Sequence, residues 1–508
     1  MIVKIPSVAG GIVADEVPHE LPVGVWSDGL NVRFTDGYVQ RTDGHAEILT
    51  QPSAAAYHIA PYQTVGKKWW IHATLTAAFA DDGTTKTDIT GTALTGAAGD
   101  KFTSTVIGGV FVINNQVDVP QYWNGDTATN LATLTGWNAN WKCKSIRAFK
   151  NYLIALNVSK STTNYPHMVK WSDAAAPGAI PASWDETDAT KDAGERDLAE
   201  TEDEIVDGYP LGDTFVVYKQ RSMYGMQYIG GNSIFRSFRL PGNYGALTQN
   251  CVAQTPLGHV VLTPGPDVVI HNGNEPQSIL SGKWRKWLRS NIQGDQFSDS
   301  FVVAMTNRDE VWVCFTSTGN TSPSRALIWN YKENTFTVRS LPSVTSGAVG
   351  FAVTNTDGTW AADVATWAAD TTVWNPDDLN AAQRRMLMCT VNSEIFVMDS
   401  GDTFDGTAIS ANVERKGLHF DSPDVVKTVR AVYPRIDGTG TVYIQAGGAM
   451  DIEGTYTWSS QVAYTIGTSY KADTFATGRF LALRISSDST ASWRLRSIDL
   501  DIVPRGTY

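Results

Sequence analysis

A short, almost purely apolar run recurs seven times along this 508-residue sequence, and turn-forming residues bound most of the runs. The first two steps between the starts of successive runs are 41 and 42 residues long, and the later steps range from 45 to 84 residues. A repeat of this length, built from short strands, is typical of four-stranded propeller blades. The recurrence therefore predicts a β-propeller of six or seven blades. The runs begin at Trp69, Val110, Tyr152, Phe215, Val260, Val311 and Ile395.

The composition agrees with an all-β globular protein. Hydrophobic residues make up 42% of the chain and charged residues only 18%, so a large core can form. The 44 glycines and 21 prolines supply many turns, and long amphipathic helical patterns are nearly absent. The four cysteines lie far apart without a CxxC pair, and Cys143, Cys314 and Cys389 sit inside apolar strand-like runs. This pattern predicts small buried thiols in a reducing cytosol rather than disulfides or metal ligands.

The pattern of strands and turns predicts three regions. Residues 1–50 form an extended arm followed by a hairpin, because two short strands flank the Asp36-Gly37 turn. Residues 51–420 form the propeller, with insertions near 174–207 and 354–385 in the longest steps. Residues 421–508 contain alternating strands joined by Gly- and Ser-rich turns, which predicts a C-terminal β-sandwich-like domain.

The net charge of −12 argues against tight binding of nucleic acid as the main activity. Proteins that grip phosphates neutralise them with Lys and Arg, whereas 52 acidic side chains here outnumber 40 basic ones. On average, such a surface repels a polyanion. No run reaches the length of a membrane span, so no membrane segment is expected.

One segment concentrates the negative charge. Eleven Asp or Glu lie between Asp185 and Asp207, against only Lys191 and Arg196. A solvated loop, a calcium site and a charged channel lining are all compatible with this composition, although the regular spacing of a calcium loop is missing. If the segment lines a channel, the side chains that face it are Asp192, Glu195, Glu200, Glu202, Asp203 and Glu204.

The stretch 283–289 is the one basic and aromatic segment. Trp284, Trp287, Leu288 and Ile292 fall on one face of a predicted short helix, which favours a helix packed on a blade by its tryptophans. The alternative is a contact for DNA phosphates or for an acidic neighbouring subunit. Its cations would be Lys283, Arg285, Lys286 and Arg289.

Catalytic patterns are missing from the sequence. It has no GxSxG elbow, no HExxH pair and no Walker-type phosphate loop, so we predict no enzyme activity and no catalytic, cofactor-binding or metal-binding residues. His259 and His271 flank strands of one unit and are predicted to be structural. The segment 354–360 resembles an Asp-box but lacks its spacer, so it is interpreted as an Asp-Gly turn.

Several phrases spread over nearly the whole chain resemble a known family. They are GGI at 10–12, LPVGVWSDGLN at 21–31, RTDG at 41–44, LGDTFVVYK at 211–219, GHVVL at 258–262, DVVIHNG at 267–273, ALIWNY at 326–331, WRLR at 493–496 and DLDIVP at 499–504. Together they resemble the tail nozzle proteins of short-tailed bacteriophages, also called tail tubular protein B or packaged-DNA stabilisation proteins.

The resemblance implies a virion structural protein, made in the host cytoplasm and located in the tail. Six copies would form a ring, the distal tail tube, that holds double-stranded DNA and conducts it during ejection. Its expected partners are further copies of the chain, a tail adaptor protein above it, tail fibres or spikes, and the DNA in transient non-specific contact. The family offers no catalytic residues to carry over.

Two other functions remain open from the residues alone. The chain could be a receptor- or glycan-binding tail or surface protein, in which exposed Trp360, Trp367 and Trp374 stack on sugars. Those tryptophans could equally lie in a blade core. The chain could also be a propeller glycosidase, which requires two carboxylates that converge on the central pocket.

Overall fold

The computed structural model describes residues 2–64, 67–231, 233–351 and 384–507. It is an all-β protein with a seven-bladed propeller and a β-sandwich. The predicted fold class is therefore confirmed, with seven as the number of blades.

The N-terminal segment crosses both parts of the molecule. The predicted hairpin forms, with Val32 paired to Arg41. Its turn has positive φ at Asp36 (54°) and Gly37 (81°), which matches the twist of the two strands. The strands of this segment are β1 (Ile2–Ile5), β2 (Asp28–Leu30), β3 (Val32–Thr35), β4 (Tyr38–Arg41) and β5 (His45–Glu47).

The first three blades follow in chain order, each a four-stranded antiparallel sheet. Blade 1 contains β6 (His58–Thr64), β7 (Lys67–Ala73), β8 (Ala78–Asp81) and β9 (Lys86–Asp88). Blade 2 contains β10 (Thr103–Ile107), β11 (Val110–Asn114), β12 (Gln121–Trp123) and β13 (Ala132–Thr133). Blade 3 contains β14 (Trp141–Phe149), β15 (Tyr152–Lys160), β16 (Thr163–Trp171) and β17 (Gly194–Asp197).

The next three blades repeat the arrangement. Blade 4 contains β18 (Ile205–Leu211), β19 (Thr214–Lys219), β20 (Met223–Tyr228) and β21 (Phe235–Arg239). Blade 5 contains β22 (Val252–Thr255), β23 (Gly258–Thr263), β24 (Asp267–His271) and β25 (Gln277–Ser278). Helix α1 (Arg285–Asn291) and a 3₁₀ segment (Gly294–Asp299) lead to blade 6, which contains β26 (Phe301–Met305), β27 (Glu310–Phe315), β28 (Arg325–Asn330) and β29 (Thr335–Ser340).

Blade 7 closes the ring with a strand from the other end of the chain. Three of its strands are β30 (Val344–Phe351), β31 (Arg384–Thr390) and β32 (Ile395–Met398), and β5 supplies the fourth by pairing Ala46 with Val397. The innermost strand β30 also contacts β6 of blade 1. Because the chain runs from β5 directly into blade 1, this pairing ties the first and last blades together.

The seven apolar runs of the sequence occupy equivalent places in six blades. Each of the first six forms the second strand of its blade, β7, β11, β15, β19, β23 or β27, and these strands are almost fully buried. The seventh run is β32, which is the third strand of blade 7 and not the second. Part of the insertion predicted at 174–207 also belongs to blades, because it contains β17 and the start of β18. Most of the insertion predicted at 354–385 lies outside the described residues.

The C-terminal strands form a sandwich of two sheets that also takes up the arm. The strands of this region are β33 (Thr403–Phe404), β34 (Thr407–Leu418), β35 (Val425–Gly438), β36 (Thr441–Ala449), β37 (Thr457–Trp458), β38 (Val462–Thr465), β39 (Ala472–Gly478), β40 (Phe480–Ser489) and β41 (Trp493–Thr507). One sheet has the order β3-β4-β41-β35-β39 with β1 on β41, and the other contains β34, β40, β36 and β37 with β2 on β34 and β38 on β36.

The predicted borders at 50 and 421 do not separate independent bodies. The long sandwich strand β34 begins at Thr407, before the predicted border, and β1 to β4 pair with C-terminal strands. One continuous apolar cluster joins the sandwich, the arm and blades 5 and 6, with arm residues such as Ile12 and Trp26 between them. Sandwich and propeller are therefore packed together around a shared core.

Candidate functional site

The acidic segment is bonded to the propeller by buried lysines. The Lys170 side chain is fully buried, and its ammonium pairs with Glu186 and with Glu195 at 3.1 Å. Lys160 pairs with Glu195 at 2.6 Å, and both ammonium groups lie over the Trp141 ring. Burial works to raise the pKa of Glu186, but the hydrogen bonds it accepts and the charges of Lys170 and Lys160 together outweigh burial and lower the pKa to about 2. These carboxylates are therefore structural ion-pair partners.

The rest of the segment divides into bonded and exposed side chains. Glu204 pairs with Lys144 at 3.1 Å, and Asp203 lies 3.6 Å from the buried Lys219 ammonium. The Tyr152 hydroxyl donates to Asp192 at 2.8 Å. Of the six predicted channel-facing residues, Asp192, Glu195, Asp203 and Glu204 are thus bonded within the chain, and Glu200 and Glu202 are exposed.

The loops of blades 1 to 5 carry very different charges at the two ends of the propeller. Because antiparallel strands alternate in direction, the first and third turns of every blade emerge at one end, and the second turn and the connection to the next blade emerge at the other. The described loops at the first end, which we call the acidic end, contain nine carboxylates against Lys150 and Lys191. The nine are Asp82, Asp126, Asp173, Asp185, Glu186, Asp188, Asp192, Asp213 and Glu275.

The opposite end is nearly balanced. Its described loops contain eight carboxylates and six basic side chains. The carboxylates include Glu200, Glu202, Asp203 and Glu204, so the predicted acidic residues are split between the two ends. All four cations of the basic stretch lie at this balanced end.

The predicted helix forms and packs by its apolar face. Trp284 and Leu288 are fully buried, and the Trp284 indole donates to the Ile12 carbonyl at 2.8 Å. Asp15 accepts hydrogen bonds from the first-turn amides of Lys286 and Trp287, at 2.7 and 2.8 Å. The structure thus confirms that the tryptophans pack this helix.

The four predicted contact cations have different surroundings. Arg285 pairs with the buried Asp267 at 3.2 Å, and the Lys283 ammonium lies 5.8 Å from the centre of the Phe336 ring. Arg289 donates to the Gly265 carbonyl at 3.2 Å, and Lys286 and Arg289 are both exposed. Two of the four cations are therefore accessible to a partner.

A cavity of about 450 Å³ lies where the innermost strands of all seven blades converge. His58 lies in it beside the Ser104 hydroxyl at 2.9 Å, and burial lowers the pKa of His58 to about 3. Asp299 pairs with Lys101 at 2.9 Å and is the one carboxylate among the described residues that line the cavity. A volume of this size suits a small molecule and is far too small for a DNA duplex.

A buried hydrogen-bond network stands next to this cavity. Arg147 binds Asp207 through two nitrogens, at 2.9 and 2.6 Å, and also donates to Tyr209 at 2.7 Å. Ser145 donates to the same carboxylate at 2.5 Å. Burial works to raise the pKa of Asp207, but the charge and hydrogen bonds of Arg147 outweigh it and lower the pKa. The network therefore fixes innermost strands β14 and β18 to each other.

His259 and His271 have the structural role that the sequence predicted. They face each other across β23 and β24, and the Tyr218 hydroxyl lies 2.6 Å from a ring nitrogen of each. The Gly273 amide donates to His271 Nδ1 at 3.3 Å, and His259 Nε2 lies 2.9 Å from the Pro210 carbonyl. The four contacts are satisfied in one way: His271 donates to Tyr218, Tyr218 donates to His259, and His259 donates to Pro210. Burial lowers the pKa of both histidines to about 4, so both are neutral.

The remaining predictions concern cysteines, metals and the second insertion. Cys143, Cys314 and Cys389 are buried and free, as predicted, and Cys251 is buried and free as well. Within the described ranges, no three His, Cys, Asp or Glu side chains are grouped to hold a metal ion. In the same ranges, no helix has the length and apolar character needed to cross a bilayer. The Asp-Gly turn at 354–360 and the tryptophans Trp360, Trp367 and Trp374 lie outside the described residues.

Comparisons by sequence gave no relatives: no protein-family profile matches the chain, and no curated protein does. Among solved structures, the chain is similar to the WD40 repeats of RRP9, with a TM-score of 0.40 and 10% identity over 71% of this chain and 99% of that one. The WD40 β-propeller domain of Doa1 is similar with a TM-score of 0.36 and 10% identity, over 70% of this chain and 96% of that one. YCF48 from Cyanidioschyzon merolae is similar with a TM-score of 0.36 and 9% identity, over 70% of this chain and 98% of that one.

Proposed function

We propose that this protein is a virion structural protein of a short-tailed bacteriophage. In the proposed role, six copies form the distal tube of the tail, which retains double-stranded DNA and then conducts it during ejection. The role needs no chemical step and no cofactor. The chain would lie below a tail adaptor protein and carry fibres or spikes at its outer surface.

The observation that carries the proposal is the acidic end of the propeller. A conduit has to let a polyanion pass without holding it, and carboxylates repel phosphates where Lys and Arg would bind them. The loops of blades 1 to 5 at this end carry nine carboxylates against two lysines. Glu186 and Asp173 are ion-paired within the chain, but Asp126, Asp185 and Asp213 are exposed and provide such a surface. The central cavity is too small for a duplex, so the DNA path in the proposal is the axis of a ring of copies.

The construction of the chain also suits a mechanical part. The ring of blades is closed by β5, and the same N-terminal segment supplies four strands to the sandwich. Two of the sequence phrases that resemble tail nozzle proteins belong to this construction, since 21–31 lies in the N-terminal segment and 493–504 lies in the sandwich strand β41.

Electron microscopy of the purified full chain, alone and with the adaptor protein of its tail, tests the assembly. We expect closed rings of six copies in which the acidic end faces the axis. A chain that stays monomeric at all concentrations, and also with the adaptor, would contradict the proposal.

A DNA-binding titration at two salt concentrations tests the charge argument. The wild-type chain is expected to bind a labelled duplex no more tightly than the roughly 10⁻⁴–10⁻⁶ M range of non-specific contacts at physiological salt. A triple variant of exposed residues at the acidic end, Asp126→Lys, Asp185→Lys and Asp213→Lys, is expected to gain salt-dependent affinity and to retain DNA in assembled rings.

The matched control makes the same exchange at the balanced end, with Glu200→Lys, Glu202→Lys and Asp295→Lys. Those residues are also exposed. Each variant replaces three carboxylates with three lysines, so both variants change the net charge equally. Equal retention of DNA by rings of both variants would show that the acidic end does not face the DNA path.

A further inference from the structure

One edge of the sandwich is left without a partner strand. The strand β35 pairs with β41 along its whole length, from Val425 to Gly438. On its other side, the pairing with β39 stops at Val432, which lies opposite Ala472, the first residue of β39. Residues 433–438 therefore have a neighbouring strand on one side only.

A groove of about 460 Å³ occupies this place. Its opposite wall is the loop at 467–470, where the chain passes from β38 in one sheet to β39 in the other. The side chains that decide its chemistry are three tyrosines, two arginines and one aspartate: Tyr433, Tyr464, Tyr470, Arg435, Arg496 and Asp437. Its volume falls in the range of small-ligand sites.

The aromatic and charged groups of the groove are open to a ligand. Tyr470 is 84% exposed, so its ring presents an apolar face to water at the rim. Arg496 pairs with Asp437 at 3.4 Å, and Arg435 pairs with Asp499 at 3.6 Å. The side chains of Arg435, Arg496 and Asp437 are each at least 60% exposed, and ion pairs between such exposed groups are weak. Asp437 and Arg435 can therefore turn toward a ligand at little cost. Arg496 also donates to the Tyr38 hydroxyl at 2.5 Å and lies 4.9 Å from the centre of the Tyr38 ring, which holds its guanidinium at the groove.

The open edge does not suit a peptide that adds as a further strand. Strand addition uses the backbone donors and acceptors of the edge. Pro434 has no N–H, and proline and charged side chains are how natural edges resist such pairing. Recognition in this groove has to come from the side chains.

We propose that the groove binds a saccharide with neighbouring hydroxyl groups. A sugar ring has an apolar C–H face, which fits the Tyr470 ring, and hydroxyls on adjacent carbons around its edge. Adjacent hydroxyl oxygens can accept the two parallel N–H groups of the Arg496 guanidinium, and a hydroxyl can donate to Asp437. This site lies on the sandwich and is independent of the DNA-conducting role proposed above.

Saturation-transfer NMR on the full chain tests the inference. The probes are the methyl glycosides of glucose, galactose, mannose, rhamnose and N-acetylglucosamine, together with their disaccharides. We expect transfer to at least one of them, and a loss of affinity of tenfold or more in Tyr470→Ala. Because Tyr470 is highly exposed, this variant should fold normally.

Two further variants test whether saccharide binding depends on the groove or on neighbouring surface residues. Arg496→Lys keeps the charge but removes the paired N–H groups, so it should weaken the same saccharide. Phe475→Ala removes an aromatic ring that is 67% exposed on β39 but does not line the groove, so binding should stay unchanged.

The inference fails if none of the probes receives transfer from the wild-type chain. It also fails if Phe475→Ala weakens binding as much as Tyr470→Ala does. Binding of an extended peptide that Tyr470→Ala abolishes, with no transfer to any saccharide, would assign the groove to a protein partner instead.

Discussion

Removing the Asp399 carboxylate tests how sandwich, blade 6 and blade 7 are held together. Asp399 directly follows β32 in blade 7 and its side chain is 1% exposed. It binds Arg33 of the hairpin at 2.7 Å and also pairs with Arg339 of blade 6. Burial works to raise the pKa of Asp399, but the charges of Arg33 and Arg339 outweigh it and hold the pKa well below its usual range. The carboxylate is therefore charged at neutral pH and neutralises two buried guanidinium groups.

The variant Asp399→Asn removes the charge and keeps the shape. Asparagine is also suited to the backbone here, because φ at this position is +57°. Arg33 keeps a second carboxylate, Glu310 at 2.7 Å, whereas Arg339, with 0% exposure, keeps mainly the Gly44 carbonyl. Loss of one partner from a buried pair costs about 3–5 kcal/mol.

Calorimetry of the full chain gives the measurement. The unfolding entropy is about 2 cal/mol/K per residue, so a 508-residue chain that unfolds cooperatively loses about 1 °C of Tm for each kcal/mol of lost stability. The expected drop in Tm is therefore about 3–5 °C. The control is Asp213→Asn, the same exchange at a side chain that is 95% exposed and pairs with Lys150 at 3.4 Å. It should leave Tm unchanged.

A double variant distinguishes stranded charge from lost packing. Asp399→Asn combined with Arg339→Met removes both charges and should recover part of the lost stability. If Asp399→Asn has the Tm of the wild type, or if the double variant is less stable than the single one, the carboxylate does not neutralise these guanidiniums as described.

Two other predictions concern buried histidines. The variant Tyr218→Phe strands a donor on His271 and an acceptor on His259, so it should lower the free energy of unfolding by about 1–3 kcal/mol in urea titrations. Tyr152→Phe, whose hydroxyl bonds a partly exposed carboxylate, is the control and should cost less. The second prediction is acid sensitivity: burial lowers the pKa of His58 to about 3 and of four other histidines to about 4, whereas the pKa in the unfolded chain is about 6.5. Between pH 6.5 and 4 the unfolded chain binds more protons, so the free energy of unfolding should fall as the pH falls, and unfolding should take up as many as five protons. A flat profile over this range would contradict the neutral state of His45, His58, His72, His259 and His271.

The sequence was sufficient for elements whose evidence is local. The second strands of blades 1 to 6 could be read directly, because a strand buried on both faces needs an unbroken apolar run. The hairpin at 32–41 followed from its Asp-Gly turn, and the packing face of α1 followed from the spacing of Trp284, Trp287 and Leu288. These features depend on neighbours within a few residues in the chain.

The candidate surfaces could be predicted only in part. The sequence identified an acidic segment and a basic one, but it did not show that Lys160, Lys170 and Lys219 would neutralise several of the carboxylates from other strands. The groove beside β35 gave no signal either, because it exists only where β39 stops one strand position short of Tyr433.

What the sequence determined by itself was the type and approximate order of the sheets, since a hydrophobic period and a turn residue act locally. The tertiary structure alone decided how the ring closes. Nothing in the three residues His45–Glu47 distinguishes them as the last strand of blade 7, and their partner β32 lies about 350 residues further along the chain. The cluster around Asp399 is equally non-local, because Arg33, Arg339 and Asp399 meet only after hairpin and blades have packed. Such contacts depend on the free energy of the whole fold, which no short stretch of sequence contains.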